Sequence, residues 1–145
     1  MNKIINNLFC KKDLNEITLK NLKEYVPFFT TISGSHAYGF SSSDSDIDIR
    51  TAFLFDKESL FGFDSTKKTS ITTTSLTKDN IEIDFVAHEL RKFNKMIASG
   101  ENGYVLEQLF SPLCLHESVE LKNYKDTVHK FFITKKLYKH YSSFA

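Results

Sequence analysis

The stretch GSHAYGFSSSDSDIDIR, residues 34–50, constrains what this chain can fold into more than any other part of it. The largely apolar run Phe28–Ile32 leads into a Gly34-Ser35 turn, and after ten further residues come Asp46 and Asp48, separated by Ile47 and followed by Ile49. Residues i and i+2 of a strand project from the same face. Asp46 and Asp48 are therefore expected to stand together while Ile47 and Ile49 enter a core. Two carboxylates held side by side repel one another unless a cation lies between them. A divalent metal answers that need, and a Gly-Ser turn beside it suits a phosphate-bearing ligand. The pattern points to metal-dependent phosphoryl or nucleotidyl transfer.

The rest of the chain supplies a frame for such a strand. Ile17, Leu19, Leu22 and Tyr25 recur at mixed three- and four-residue spacings, predicting an amphipathic helix over Asn15–Tyr25 after a weakly helical start, with Pro27 ending it. Strands are expected over Phe28–Ser33, Asp46–Phe55, Thr69–Leu76 and Ile81–Ala87, with a serine-rich turn at Phe40–Ser45, a loop or short helical turn at Lys57–Lys68 and a turn at Thr77–Asn80. In the last strand Ile81, Ile83 and Phe85 share one face, and Glu82 and Asp84 the other. From Glu89 the period changes to that of a helix, which Gly100 terminates, and a second short helix follows over Asn102–Phe110. Helical texture resumes from about Val119. The fold class expected is α+β: a small mixed sheet with flanking helices and a helical C-terminal part. A single domain is expected over residues 1–145, with a catalytic core over about 15–100 and a helical segment over about 101–145.

Composition narrows the function classes. The net charge of +1 gives no global nucleic-acid signature, so any basic surface must be local. Arg50 and Arg91 are the only arginines, which marks each for a specific contact. Cys10 and Cys114 are far apart and form no metal-ligand pattern, so both read as free thiols of a reducing compartment. The N-terminal apolar run is broken by Asn6 and Asn7, and no stretch approaches the ~20 apolar residues of a membrane span. A cytoplasmic protein without membrane contact is expected.

Nucleotidyl transfer proceeds by in-line attack on the α-phosphate of a nucleoside triphosphate, with pyrophosphate leaving. Two Mg²⁺ ions, with Mn²⁺ as a substitute, are the expected cofactors; they prefer oxygen ligands, and carboxylates supply them. Asp46 and Asp48 can bridge both ions, and Asp84 in IEIDFVA is the expected third ligand, with Glu82 as the alternative on the same face. Gly34 allows close backbone approach to the triphosphate, and the Ser35 hydroxyl can hold its terminal phosphates. His36 and Tyr38 are placed to line the nucleotide pocket or to pack the turn. Arg50 alternates onto the face of the aspartates, there to meet phosphate or to neutralise the carboxylates. Lys92 reads as part of a solvated helix face within reach of phosphate.

These residues resemble a known family. Gly-Ser, ten residues, Asp-hydrophobic-Asp-hydrophobic and a later strand bearing one more Asp are similar to the DNA polymerase β nucleotidyltransferase superfamily. GSHAYGFSSSDSDIDIR, IEIDFVAHELRKF and LEQLFSP resemble, more narrowly, its RNA-repair polymerase-β-like group, over about Thr30 to Ala145. The resemblance implies a palm-like core, Gly34 and Ser35 as the triphosphate-binding pair and Asp46, Asp48 and Asp84 as metal-binding carboxylates. It also implies further helices beyond the HYSSFA region in a longer chain. RNA is the favoured acceptor, on that resemblance and on the basic segment Lys122–His140. There Lys122, Lys125, His129, Lys130, Lys135, Lys136, Lys139 and His140 face Asp126 alone, while Phe131, Phe132, Leu137, Tyr138 and Tyr141 are expected to form the core-facing stripe.

Competing readings are weaker or stay open. Asp44, Asp46 and Asp48 resemble the start of a calcium-binding EF loop, but its sixth and twelfth positions are Ile49 and Phe55 rather than Gly and Glu. A transferase acting on a protein or small molecule remains an alternative, as does a non-catalytic nucleotide-binding module, although the presence of all three carboxylates argues against the latter.

Overall fold

Strand alternation divides the molecule into two layers of core, one on each face of a single sheet. The computed structural model describes residues 11–61, 67–77, 80–100 and 102–142, with the backbone alone for residues 11 and 138–141. The expected weakly helical start, Cys10, parts of the 57–68 loop and of the 77–80 turn, and the side chains of Tyr138, Lys139, His140 and Tyr141 fall outside that description.

Helix α1 (Lys11–Leu22) is followed by strand β1 (Val26–Ser33), a five-residue helix α2 (Gly34–Tyr38), β2 (Ile47–Leu54), a short helix α3 (Lys57–Phe61), β3 (Ser70–Leu76) and β4 (Glu82–Glu89). Then come α4 (Leu90–Ser99), α5 (Gly103–Phe110), β5 (Cys114–Glu117), α6 (Leu121–Phe132) and α7 (Lys135–Ser142). The five strands form one mixed sheet in the order β3-β4-β2-β1-β5. β2 and β4 are parallel, and the remaining pairs are antiparallel.

On one face Ile47, Ile49 and Phe53 of β2 and Ile83, Phe85 and Ala87 of β4 pack with Leu14 and Leu22 of α1. On the other, Phe29 and Ala52 pack with Phe93 and Ile97 of α4, Val105, Leu106 and Leu109 of α5, and Leu121 and Val128 of α6. Phe93 is fully buried and meets Phe29 edge-to-face at 5.3 Å. Burying a Phe side chain contributes about 1.5–3 kcal/mol.

Several expected elements shift. α1 stops at Leu22, because Lys23 is left-handed (φ 58°), and Tyr25 turns inward to stack on Phe53 at 4.8 Å instead of extending the helix stripe. β2 begins at Ile47, leaving Asp46 just outside the strand. Glu89 is not helical; it ends β4, and its buried carboxylate caps α4 by accepting from the Lys92 N–H. The helical segment expected over about 101–145 also contributes a strand, β5, between its two helical stretches, and this strand pairs with the outer edge of β1. On α6, Leu121, Tyr124, Val128 and Phe132 occupy the inward positions at helical spacing, so Phe131 projects to solvent rather than joining the expected stripe. Burial pushes the Tyr124 phenol up to about 12, which keeps it a donor to Asn94 Oδ1 at 2.6 Å.

Candidate functional site

Three neighbouring strands bring Ser33, Asp48 and Asp84 side by side. Ser33 of β1 pairs with Asp48 of β2, and Asp48 pairs with Asp84 of β4. All three lie on the face that carries α4 and α5, at the end of β1 where the chain turns. Gly34 makes that turn with φ 65°, and a Cβ there would lie 2.1 Å from Asp48 Oδ2. Glycine is required twice over, by the left-handed backbone and by the carboxylate packed against it. Ser35 follows in α2, half-buried.

Arg50 holds the paired strands together. Its Nη2 donates to Asp48 Oδ1, and its Nη1 donates to the Asp84 carbonyl at 3.0 Å and the Ile49 carbonyl at 3.3 Å. Of the two roles expected for it, the structure displays the neutralising one. Asp84 Oδ1 accepts from the Thr74 hydroxyl at 2.8 Å. Each carboxylate thus has one oxygen engaged, leaving Asp48 Oδ2 and Asp84 Oδ2 as the remaining donor atoms.

Asp46 is exposed immediately before β2. Among the described residues no group of three His, Cys, Asp or Glu side chains is drawn together as a ready metal cage. Asp48 and Asp84 are paired in register, and Asp46 lies two residues before Asp48 on the segment that enters β2. Glu82 lies on the Asp84 face one alternate position further out, opposite Leu76. His36 is buried, and its Nε2 donates to the Ser45 carbonyl at 3.3 Å, tying α2 to the serine turn that leads into Asp46. Its Nδ1 is buried without a partner.

A cavity of about 270 Å³ opens over this arrangement, lined by Ser33, Gly34, Tyr38, Asp48, Arg50, Tyr104, Glu107 and Gln108. A larger one of about 660 Å³, at the start of α6, is lined by Lys122 and Lys125 but by none of the candidate transfer-site residues, so donor chemistry rather than size selects the site. Tyr38 donates its phenol proton to Glu107 Oε2. The sequence assigns no site role to Tyr104, Glu107 or Gln108, although the last two lie in LEQLFSP. They are brought in because α5 is pinned to β1: Thr31 Oγ1 donates to the Gln108 carbonyl at 2.9 Å, and Ser111 Oγ donates to the Ile32 carbonyl at 2.5 Å.

Lys92 does not project into solvent. Its Nζ donates to Ser70 Oγ at 2.6 Å, and Ser70 in turn faces His88 Nδ1 at 2.8 Å. Of the C-terminal basic residues, Lys122, His129, Lys130, Lys135 and Lys136 are exposed, and Lys125 is half-buried. Cys114 forms no disulfide among the described residues, and its Sγ lies 3.3 Å from the His116 carbonyl oxygen, to which it donates. No helix among the described residues is long and apolar enough to cross a membrane.

The five-stranded mixed sheet with its flanking helices fits a small α+β nucleotidyltransferase core. Residues 11–145 match the family model RlaP, described as the RNA repair pathway DNA polymerase beta family. The chain belongs to that family, and membership supports a polymerase-β-like nucleotidyltransferase role in RNA repair. No curated protein matches it.

Proposed function

We propose that the chain transfers a nucleoside monophosphate from a nucleoside triphosphate to a hydroxyl at an RNA end, in the cytoplasm. The observation that carries this reading is the contact of Gly34 with Asp48, in register with Asp84, beneath a cavity that the family's chemistry requires to admit a triphosphate. The Gly34 backbone and the Ser35 hydroxyl hold the terminal phosphates. The acceptor oxygen forms a bond to the α-phosphorus, the bond from that phosphorus to the bridging oxygen breaks, pyrophosphate leaves and the hydroxyl proton passes to solvent.

The donor set fits a hard divalent cation: two carboxylates on adjacent parallel strands each retain an oxygen, a third is one residue ahead of β2, and no sulfur or imidazole competes among them. Asp46, Asp48 and Asp84 would hold two Mg²⁺ ions, or Mn²⁺ in their place. When bound, the ions supply charge neutralisation at the reacting phosphate and an activated acceptor hydroxyl. Arg50 aims the Asp48 carboxylate, and Thr74 fixes the rotamer of Asp84.

The test is incubation with labelled ATP, CTP, GTP and UTP and Mg²⁺, together with RNA, cell protein or small-molecule acceptors. Label on RNA is expected. Label confined to protein or a small molecule overturns the acceptor assignment, and nucleotide binding with no transfer to any acceptor overturns catalysis.

A further inference from the structure

The half of the catalytic face formed by β3 and β4 carries a row of polar side chains that starts at the transfer site and runs away from it. Ser70, Thr72 and Thr74 alternate along β3, opposite His88, Val86 and Asp84 of β4. Thr72 and Thr74 are exposed, while Ser70, His88 and Lys92 are half-buried. The row therefore begins at a carboxylate of the candidate site and ends four residues away, roughly 13 Å along the strand, at the Lys92–Ser70–His88 cluster.

The hydrogen bonding of that cluster is directional. The Lys92 ammonium donates to Ser70 Oγ, which frees the serine proton for His88 Nδ1. His88 is suited to accept it, because burial first, and then the charges of Lys92 and Arg50, hold its pKa below the ordinary 6.5. Lys92 has no carboxylate partner among the described residues: Glu89, three residues earlier, uses its side chain on the Lys92 backbone and on Arg91. The ammonium thus retains unused donors in a positive local potential, at the far end of a row of hydroxyls. The Asp48–Asp84 end suits a phosphate only with a cation between them, whereas the Lys92 end attracts an anion directly.

We propose that Lys92, with Ser70 and His88, anchors a backbone phosphate of the acceptor strand, which then runs along the β3–β4 hydroxyl row and presents its terminal hydroxyl at Asp84. This rests on the reading of RNA as acceptor. A polynucleotide is the ligand that fits, because the surface asks for an anion at one end and a neutral hydroxyl about 13 Å away at the other. A nucleotide confined to the Gly34 cavity does not span both.

The test uses the full chain, fluorescence anisotropy with a labelled single-stranded RNA bearing a free 3′ hydroxyl, and a salt titration. Removing one phosphate contact makes the slope of log K against log salt shallower by about 0.7, equivalent to a loss of about fivefold at 0.1 M relative to 1 M salt. Lys92→Gln should show that change and should raise KM for RNA while leaving KM for the nucleotide unaltered. Thr72→Glu, an exposed change in mid-row, should weaken RNA binding by like-charge repulsion and serves if Lys92→Gln fails to fold. Lys20→Gln, exposed on α1 across the sheet, should bind as the wild type does. Wild-type affinity and slope in both row variants overturn the anchor while leaving the RNA reading intact. A wild-type chain that transfers nucleotide but neither binds nor labels RNA overturns both.

Discussion

Replacing Gly34 with alanine separates two penalties that the structure superimposes. The first is backbone: an L residue at φ 65° costs about 1–2 kcal/mol. The second is contact: the new Cβ would fall 2.1 Å from Asp48 Oδ2, so the carboxylate must rotate away and give up its pairing with Arg50. Losing a hydrogen bond to a charged partner costs about 1.5–3 kcal/mol. Gly39 supplies the control, since it is also left-handed (φ 83°) but a Cβ there meets nothing within 4 Å.

Gly39→Ala should therefore lower stability by about 1.5 kcal/mol and Gly34→Ala by about 3.5 kcal/mol, or about 5 °C and 12 °C in melting temperature for a chain of this size. Denaturant and thermal melts measure both. In an Asp48→Ala background no carboxylate remains to be displaced, and the two glycine substitutions should cost the same, giving a coupling of about 2 kcal/mol between positions 34 and 48. Transfer activity should survive Gly39→Ala and be lost in Gly34→Ala. Equal melting losses for the two variants in the wild-type background, with Gly34→Ala still active, would refute the reasoning.

Asp46→Asn and Asp48→Asn should each reduce nucleotidyl transfer by more than about a hundredfold, beyond the effect of losing a residue that merely supports a metal ligand, while the chain still melts cooperatively; full activity in both removes the two-metal assignment. Phe93→Ala should cost about 3–5 kcal/mol, because Phe93 is fully buried against Phe29, and calorimetry should register a fall of about 10–15 °C. For His88 the unfolded chain binds the proton more readily than the folded one, since its folded pKa is lowered. Its stabilising contribution is complete above the ordinary 6.5 and is lost as pH falls through the folded pKa. Melting temperatures across the acid range should fall more steeply for the wild type than for His88→Gln, and parallel curves would contradict the lowered pKa.

Much of this arrangement was legible in the sequence, because local periodicity and side-chain chemistry encode it. Alternation fixed the faces of β2 and β4, and with them the placing of Ile47, Ile49, Ile83 and Phe85 in a core and of Asp48 and Asp84 opposite. What escaped depends on distant partners. β5 is four residues long and follows a proline, so its identity comes from pairing with β1 some eighty residues earlier. α2 is too short to display a helical period. Tyr104, Glu107 and Gln108 look ordinary on an amphipathic helix, and they acquire a place in the cavity only through the bonds from Thr31 and Ser111 that seat α5. Lys92 read as solvated because Ser70, its partner, lies on another strand.

The late position of α5 and β5 has a consequence for how the molecule comes into being. The chain is synthesised from its N-terminus, so the segments of β2 and β4 are made before the helix that walls the cavity and before the strand that closes β1. A chain stopped after β4 carries Asp48 and Asp84 but lacks Tyr104, Glu107 and Gln108 of the cavity lining. The carboxylates and the wall beside them are thus separated in time, and the cavity is complete only once α5 has been added.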